Sequence, residues 1–274
     1  MKNCPSKLKE YKPHDSLAIP EWKGFIQNPQ NKANLMDYVA EAWSANCKSL
    51  PPGCQLILGG VFCDPGRTVL LSADGQVELP ELSCEKHEEA DTRMFAHIVH
   101  SVHLHHERAV VVASDTDVFM MCLYYSTRLD GLEELWMKKM NVYLPVHAIA
   151  EALAEKHAVE ATNLTSRLLS AYILTGCDTV SYPFRRRKKR AYKTAVEHLT
   201  DLQPLSRYAD PGESLDVQED VIASARQYFV SLYDRNDFKG NLDALRAHLF
   251  GSIKGDMRCL PPTEDAFQLH LHQA

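Results

Sequence analysis

The feature that most limits what this chain can fold into is a short apolar run with an acidic exit. Ala109-Val110-Val111-Val112-Ala113 reads as a buried strand, and Ser114-Asp115-Thr116-Asp117 follows it directly, with a helix expected from about Asp117. Before the run, a helical pattern over Lys86–Val102 puts Asp91, Phe95, Ile98 and Val102 on one face. After it come a strand expected over Met140–Leu144, a helix opened by Pro145 and reaching about Lys156, and a helix over Leu164–Leu174 stopped by Gly176. This alternation of helix and strand predicts an α/β fold with a mainly parallel sheet flanked by helices. In such sheets ligands bind outside the carboxyl ends of the strands, which is where Asp115 and Asp117 fall.

Elsewhere the patterns are coarser. Residues 1–30 read as an extended lead-in, and 31–48 carry a helical stripe of Leu35, Val39 and Trp43. Gln55–Phe62 and Arg67–Ser72 are apolar runs around Asp64-Pro65-Gly66, a hairpin signal. Past residue 190 the chain is expected to be mostly helical, over Tyr192–Leu199, Asp216–Tyr233, Leu242–Leu249 and a short helix starting at Pro261-Pro262-Thr263. The organisation read from this is a lead-in and helix over 1–50, an α/β core over 51–200 and a helical region over 201–274. Trp22, Trp43 and Trp136 are expected to be packing residues.

Composition narrows the function classes. The longest apolar stretch, Val118–Tyr125, is too short to span a bilayer. The first residues, Met1-Lys2-Asn3-Cys4-Pro5, have no apolar core of the kind a signal peptide carries, so a nuclear or cytoplasmic protein is expected rather than a secreted one. Eight cysteines are scattered with no CxxC pair, which argues against a zinc finger and for reduced thiols. There is no P-loop and no GxGxxG, so a nucleotide cofactor has no support. The net charge is −6, yet Arg185-Arg186-Arg187-Lys188-Lys189-Arg190 forms a compact basic run with Lys193 just beyond it. Such a run serves as a solvated face, as a nuclear localisation signal or as a contact for phosphates.

Three acidic clusters occur in order: Glu88-Glu89-Ala90-Asp91, Ser114-Asp115-Thr116-Asp117 and Gly176-Cys177-Asp178. Each has a purely structural explanation as a helix cap, a first-turn acid or a turn residue. Asp91, however, heads the apolar stripe of its helix, and a carboxylate there needs a donor, a cation or a site. Glu88 lies one turn back on that stripe, whereas Glu89 shares the face of Arg93 and His97; the choice between Glu88 and Glu89 stays open. Carboxylates that converge repel one another unless a cation sits between them, and oxygen-only ligands suit Mg²⁺ or Mn²⁺.

These clusters carry a resemblance. Glu89-Ala90-Asp91, Asp115-Thr116-Asp117 and Leu174-Thr175-Gly176-Cys177-Asp178 resemble, in order and setting, the flap endonuclease (XPG-type) group of PIN-like nucleases. The chain is more similar still to animal PIN-like proteins with HEEADTR, SDTDV and GCDT blocks, which His87–Arg93, Ser114–Val118 and Gly176–Thr179 match letter for letter. The resemblance implies a three-layer PIN-like fold and divalent-metal-dependent cleavage of DNA or RNA. It assigns Glu89, Asp91, Asp115, Asp117 and Asp178 as catalytic, with Glu88 as a further candidate ligand for one or two Mg²⁺ or Mn²⁺ ions. It sets Arg185, Arg186, Arg187, Lys188, Lys189, Arg190 and Lys193 against the nucleic-acid backbone. The chain departs from that group in two places. Nothing before residue 84 matches its upstream acids, so an N-terminally shortened chain is expected, and the basic run stands where flap nucleases carry a glycine-rich hairpin. A binding or interaction module that holds nucleic acid without cutting it, derived from a nuclease or a mobile element, is the alternative.

Overall fold

The computed structural model describes residues 9–19, 21–83, 85, 90–177, 181–207, 219–233, 238–251 and 256–273. The chain divides into two compact units, Met1–Leu104 and His105–Ala274.

Unit 1 begins with a short helix α1 (Trp22–Ile26) and a longer α2 (Pro29–Ala45). Asn28 caps α2 by accepting the Gln30 N–H, and Pro29 sits at the first helical position, where its missing N–H costs nothing. The expected hairpin is present: β1 (Leu56–Gly59) pairs antiparallel with β2 (Thr68–Ser72), with Leu56 opposite Leu71 and Gly59 opposite Thr68. Asp64 turns the connection by accepting the Gly66 N–H at 2.9 Å. A third strand, β3 (Gly75–Glu78), extends the sheet antiparallel beyond β2. Ala40, Cys47, Leu58, Phe62, Val69 and Leu71 close the core of this unit. The helix α3 (Ala90–His103) buries Phe95 and Ile98, as its stripe predicts, with Asp91 partly buried on its first turn. Arg93 fastens α3 to the end of β1 by donating from Nη1 to the Gly60 carbonyl at 2.8 Å.

The tryptophan expectation is corrected here. Trp43 is 52 % exposed, because α2 turns Asn31, Ala40 and Ser44 inward instead, and Trp22, also exposed, stacks on Phe25 with ring centroids 6.1 Å apart. Ala40 packs in the core with Leu58, Phe62, Val69 and Leu71 of the hairpin region. Trp136 alone is partly buried, its Nε1–H donating to Glu134 at 2.8 Å.

Unit 2 runs β4 (Arg108–Val112), α4 (Thr116–Tyr125), β5 (Glu134–Lys139), β6 (Val142–Pro145), α5 (Val146–His157), α6 (Ala161–Leu174), α7 (Lys188–Glu197), α8 (Glu219–Leu232), α9 (Leu242–Phe250) and α10 (Glu264–Gln273). The α/β class and the helical C-terminal region are observed; a mainly parallel sheet is not. β4 and β5 are parallel, with α4 as the crossover, but β5 and β6 are antiparallel, as are both pairs of unit 1. The tight turn at Met140, with φ of +53°, leaves β6 no other direction. The expectation of a fully buried β4 is also corrected. Val111 is buried with Leu135 and Met137 on the face toward α4 and α5, whereas Val112 is 71 % exposed on the other face.

α6 is the spine of the unit and buries Leu164, Leu168, Ala171 and Leu174. Arg128 locks α4 to it by donating to the carbonyls of Tyr124 and Thr162 and to the hydroxyls of Thr165 and Ser166. The Tyr228 hydroxyl on α8 donates to the Ala191 carbonyl of α7 at 3.0 Å. Glu264 joins three helices: it accepts from Arg226 of α8 at 2.6 Å and caps the Leu242 N–H of α9 at 3.0 Å while opening α10. No helix among the described residues is long and apolar enough to cross a membrane.

Candidate nucleic-acid interface

The exit from β4 becomes the N-terminus of α4. Asp115 is its N-cap, accepting the Asp117 N–H at 3.1 Å, and Asp117 sits in the first turn, where the helix dipole favours a negative charge. Asp117 also reaches across to α6: the Tyr172 hydroxyl donates to its Oδ1. Burial, followed by this bond to a carboxylate, pushes the Tyr172 phenol well above its ordinary range, so it stays protonated and keeps donating.

Tyr172 carries a second charged neighbour. Lys188, the first residue of α7, places Nζ 3.4 Å from the ring centroid and donates to the Tyr172 carbonyl at 2.8 Å. Burial draws the Lys188 ammonium below its usual range, against the opposing pull of Asp117. Carboxylate, phenol and ammonium thus form one cluster joining α4, α6 and α7.

That cluster forms one wall of a cleft of about 800 Å³. The other walls are Thr175, Gly176 and Cys177 after α6, then Ser181–Pro183, and then Arg185, Arg186 and Arg187 leading to Lys188. Its described lining residues include four cations, Arg185–Lys188, and one carboxylate, Asp117; of the cations, Arg186 is 4.1 Å from the Tyr233 ring centroid and Lys188 lies over Tyr172. Arg185 holds φ of +60°, a conformation that a non-glycine residue seldom adopts.

The shape of the cleft depends on Gly176. Its φ is +87°, and a Cβ there would stand 2.4 Å from Cβ of Tyr182 and 2.6 Å from the Ser181 carbonyl oxygen. The chain before and after this short segment therefore touches, and only glycine permits it. His270 of α10 holds the same segment from behind. It is 6 % exposed, its Nδ1 lies 2.7 Å from the Ser181 Oγ, and its Nε2 lies 2.8 Å from the Leu174 carbonyl. A carbonyl only accepts, so Nε2 carries the proton and Nδ1 accepts from the Ser181 hydroxyl. Burial lowers the His270 pKa, partly opposed by the Leu174 carbonyl, which keeps the ring neutral.

The residues singled out by sequence divide as follows. Asp115 and Asp117 stand together at the α4 N-terminus, and Asp117 shares the cleft with Arg185, Arg186, Arg187 and Lys188. Lys189, Arg190 and Lys193 continue along α7 and do not line the cleft; Lys193 pairs with Glu197 one turn on, at 3.6 Å. Asp91 opens α3 in unit 1. Glu88, Glu89 and Asp178 lie outside the described residues. Among the described residues, no group of three or more His, Cys, Asp or Glu side chains stands close enough to hold a metal ion. Sequence reading missed Tyr172 and His270. Their partners lie 55 and up to 96 residues away, beyond the reach of any local pattern. No protein-family model, no curated protein and no solved structure matches this chain.

Proposed function

We propose that this protein binds the phosphodiester backbone of DNA or RNA in the unit 2 cleft and is a divalent-metal-dependent nuclease of the PIN-like, flap-endonuclease type. One observation carries the reading: Asp117 and the four consecutive cations Arg185–Lys188 share a single cleft. In this reading the guanidinium groups of Arg185 and Arg187 hold phosphate oxygens in two-point contacts, Arg186 is seated over the Tyr233 ring at 4.1 Å, and Lys188 adds a positive charge fixed against Tyr172. Tyr172 keeps Asp117 in one orientation at the mouth of the helix.

Carboxylate oxygen is the ligand type that a hard cation takes. A carboxylate offers about four acceptor positions, so one internal hydrogen bond at Asp115 and one at Asp117 leave room for a ligand bond. The resemblance names Asp91, Asp178 and Glu88 or Glu89, beside Asp115 and Asp117, as ligands of Mg²⁺ or Mn²⁺. The ion would supply an activated water and neutralise charge developing at phosphorus. A three-layer PIN-like arrangement belongs to the same proposal, and the parallel β4–α4–β5 unit with acids at the strand's carboxyl end supports it.

A second reading, binding without cleavage, is favoured by the structural duties of the two acids: Asp115 caps α4 and Asp117 anchors Tyr172. Labelled single-stranded, flapped and duplex substrates incubated with Mn²⁺, beside an Asp115→Ala/Asp117→Ala double variant, separate the two. Cutting by the native chain alone supports the nuclease. Binding without cutting in both supports the second reading, with log Kd rising against log salt at a slope of about 3 for four neutralised phosphates on a single strand. Absence of binding to every substrate removes both.

A further inference from the structure

Behind the basic cleft lies a second cavity of a different character, about 410 Å³ in volume and within the roughly 300–1,000 Å³ span of small-ligand sites. Its floor is apolar and aromatic: Phe229 and Leu260 are buried there, and Phe184 stands at the side with the Arg258 guanidinium 4.5 Å from its ring centroid. Its polar lining includes Ser181 and His270, hydrogen-bonded to each other, Arg246, which donates to the Pro261 carbonyl, and Arg258, which is paired with Asp256 at 2.7 Å.

The two cavities share a wall. Ser181, Tyr182 and Pro183 line both. Tyr182 is 71 % exposed, so its ring is accessible from solvent, and its Cβ lies close to Gly176. An open aromatic between a cleft lined by Arg185–Lys188 and an apolar pocket with two arginines suits a ligand with a planar aromatic part and a phosphate a few bonds away. That combination is a nucleotide unit. An aromatic peptide side chain would fill the pocket but give the cations nothing to hold.

We propose that this second cavity is a subsite for one unstacked nucleobase, with Tyr182 as its stacking platform, while the adjoining phosphates lie against Arg185–Lys188. The inference rests on the nucleic-acid reading above and adds to it that the ligand must be single-stranded or locally opened, because a base inside a duplex cannot enter the pocket. The ring face is common to all bases, so little sequence preference is expected from stacking.

The test is binding by fluorescence anisotropy in EDTA, where cleavage cannot intervene. A short labelled oligothymidylate is compared with an abasic strand of the same length and the same phosphates. The native chain is expected to hold the base-bearing strand about 10-fold more tightly, the effect of one stacked base. Tyr182→Ala, which keeps the Cβ over Gly176, is expected to bring the ratio of the two affinities down to about 1. Tyr182→Phe is expected to restore the difference, and Arg187→Gln to weaken both strands alike. Equal affinity of the native chain for the two strands overturns the base subsite and leaves the backbone reading standing. No binding to either overturns both.

Discussion

The cleft is framed by two helix N-termini that have been treated in opposite ways. α4 follows every local rule: Asp115 caps it, Asp117 occupies its first turn, and its dipole meets negative charge. α7 breaks the same rules. Its N-cap position is Arg187, no side chain caps it, no acid stands in its first turn, and Lys188, Lys189 and Arg190 crowd the positive end of its dipole. Each such cation works against the helix by about 0.3–1 kcal/mol. Local departures of this kind concentrate where function outweighs stability. The difference teaches that α4 is capped by its own residues, while among the described residues the only carboxylate lining the cleft beside the α7 N-terminus is Asp117, which is held by Tyr172.

The largest test removes the segment that holds these two ends in register. Gly176→Ala adds a Cβ in a left-handed conformation and drives it into Tyr182 and the Ser181 backbone. A loss of about 2–5 kcal/mol is expected in urea unfolding. A variant as stable as the native chain would mean that the close approach of Gly176 and Tyr182 does not shape the cleft.

His270 comes next. His270→Ala removes a buried ring and leaves the Leu174 carbonyl without its donor, at a cost of about 2–4 kcal/mol. Its titration gives an independent sign. The folded-state pKa is lowered below the ordinary histidine value near 6.5, so the unfolded chain binds more protons between the two values. Stability from this group is complete above about pH 6.5 and is lost as the pH falls through the lowered value. Urea midpoints should therefore drop between neutral and mildly acid pH more steeply in the native chain than in His270→Gln. Equal slopes would show that the ring is not held neutral.

Much of the fold was legible in the chain, and the reason is locality. The hairpin at Asp64-Pro65-Gly66, the helix behind Pro145 and the stop at Gly176 are each set by a few neighbouring residues. β5 was hidden because Glu134, Lys138 and Lys139 mask the inward pair Leu135 and Met137. β3 was hidden because it is exposed along most of its length. The exposure of Trp43 was hidden because composition favours burying tryptophan, and only the packing of Ala40 and Ser44 decides otherwise. The site divides along the same line. Asp115, Asp117 and the basic run announce themselves, whereas Tyr172 and His270 are tied to it only by long-range folding.

Asp115 separates capping from chemistry at the well-formed end. Asp115→Ala should lower stability by about 1 kcal/mol by leaving an N–H of α4 without its cap, whereas Asp115→Asn keeps a capping oxygen and should unfold close to the native midpoint. Asn lacks the charge a divalent cation requires, so under the nuclease reading it should still lose Mn²⁺-dependent cleavage. An Asp115→Asn variant that cuts as well as the native chain would assign Asp115 to the cap alone.

The smallest effect is also the most direct test of the contrast. Arg187→Asp gives α7 what α4 already has, an N-cap acceptor and a negative charge at the positive end of the dipole. If α7 is uncapped because it serves an anion, this exchange at an exposed position should raise stability by about 1 kcal/mol, or roughly 2–4 °C in Tm for a domain of this size. It should at the same time weaken binding of single strands and make the salt slope shallower by about 0.7 for the lost phosphate contact. The two changes must go in opposite directions. A variant that is both less stable and weaker in binding would make Arg187 an ordinary structural residue, and the difference between the two helix ends would then say nothing about function.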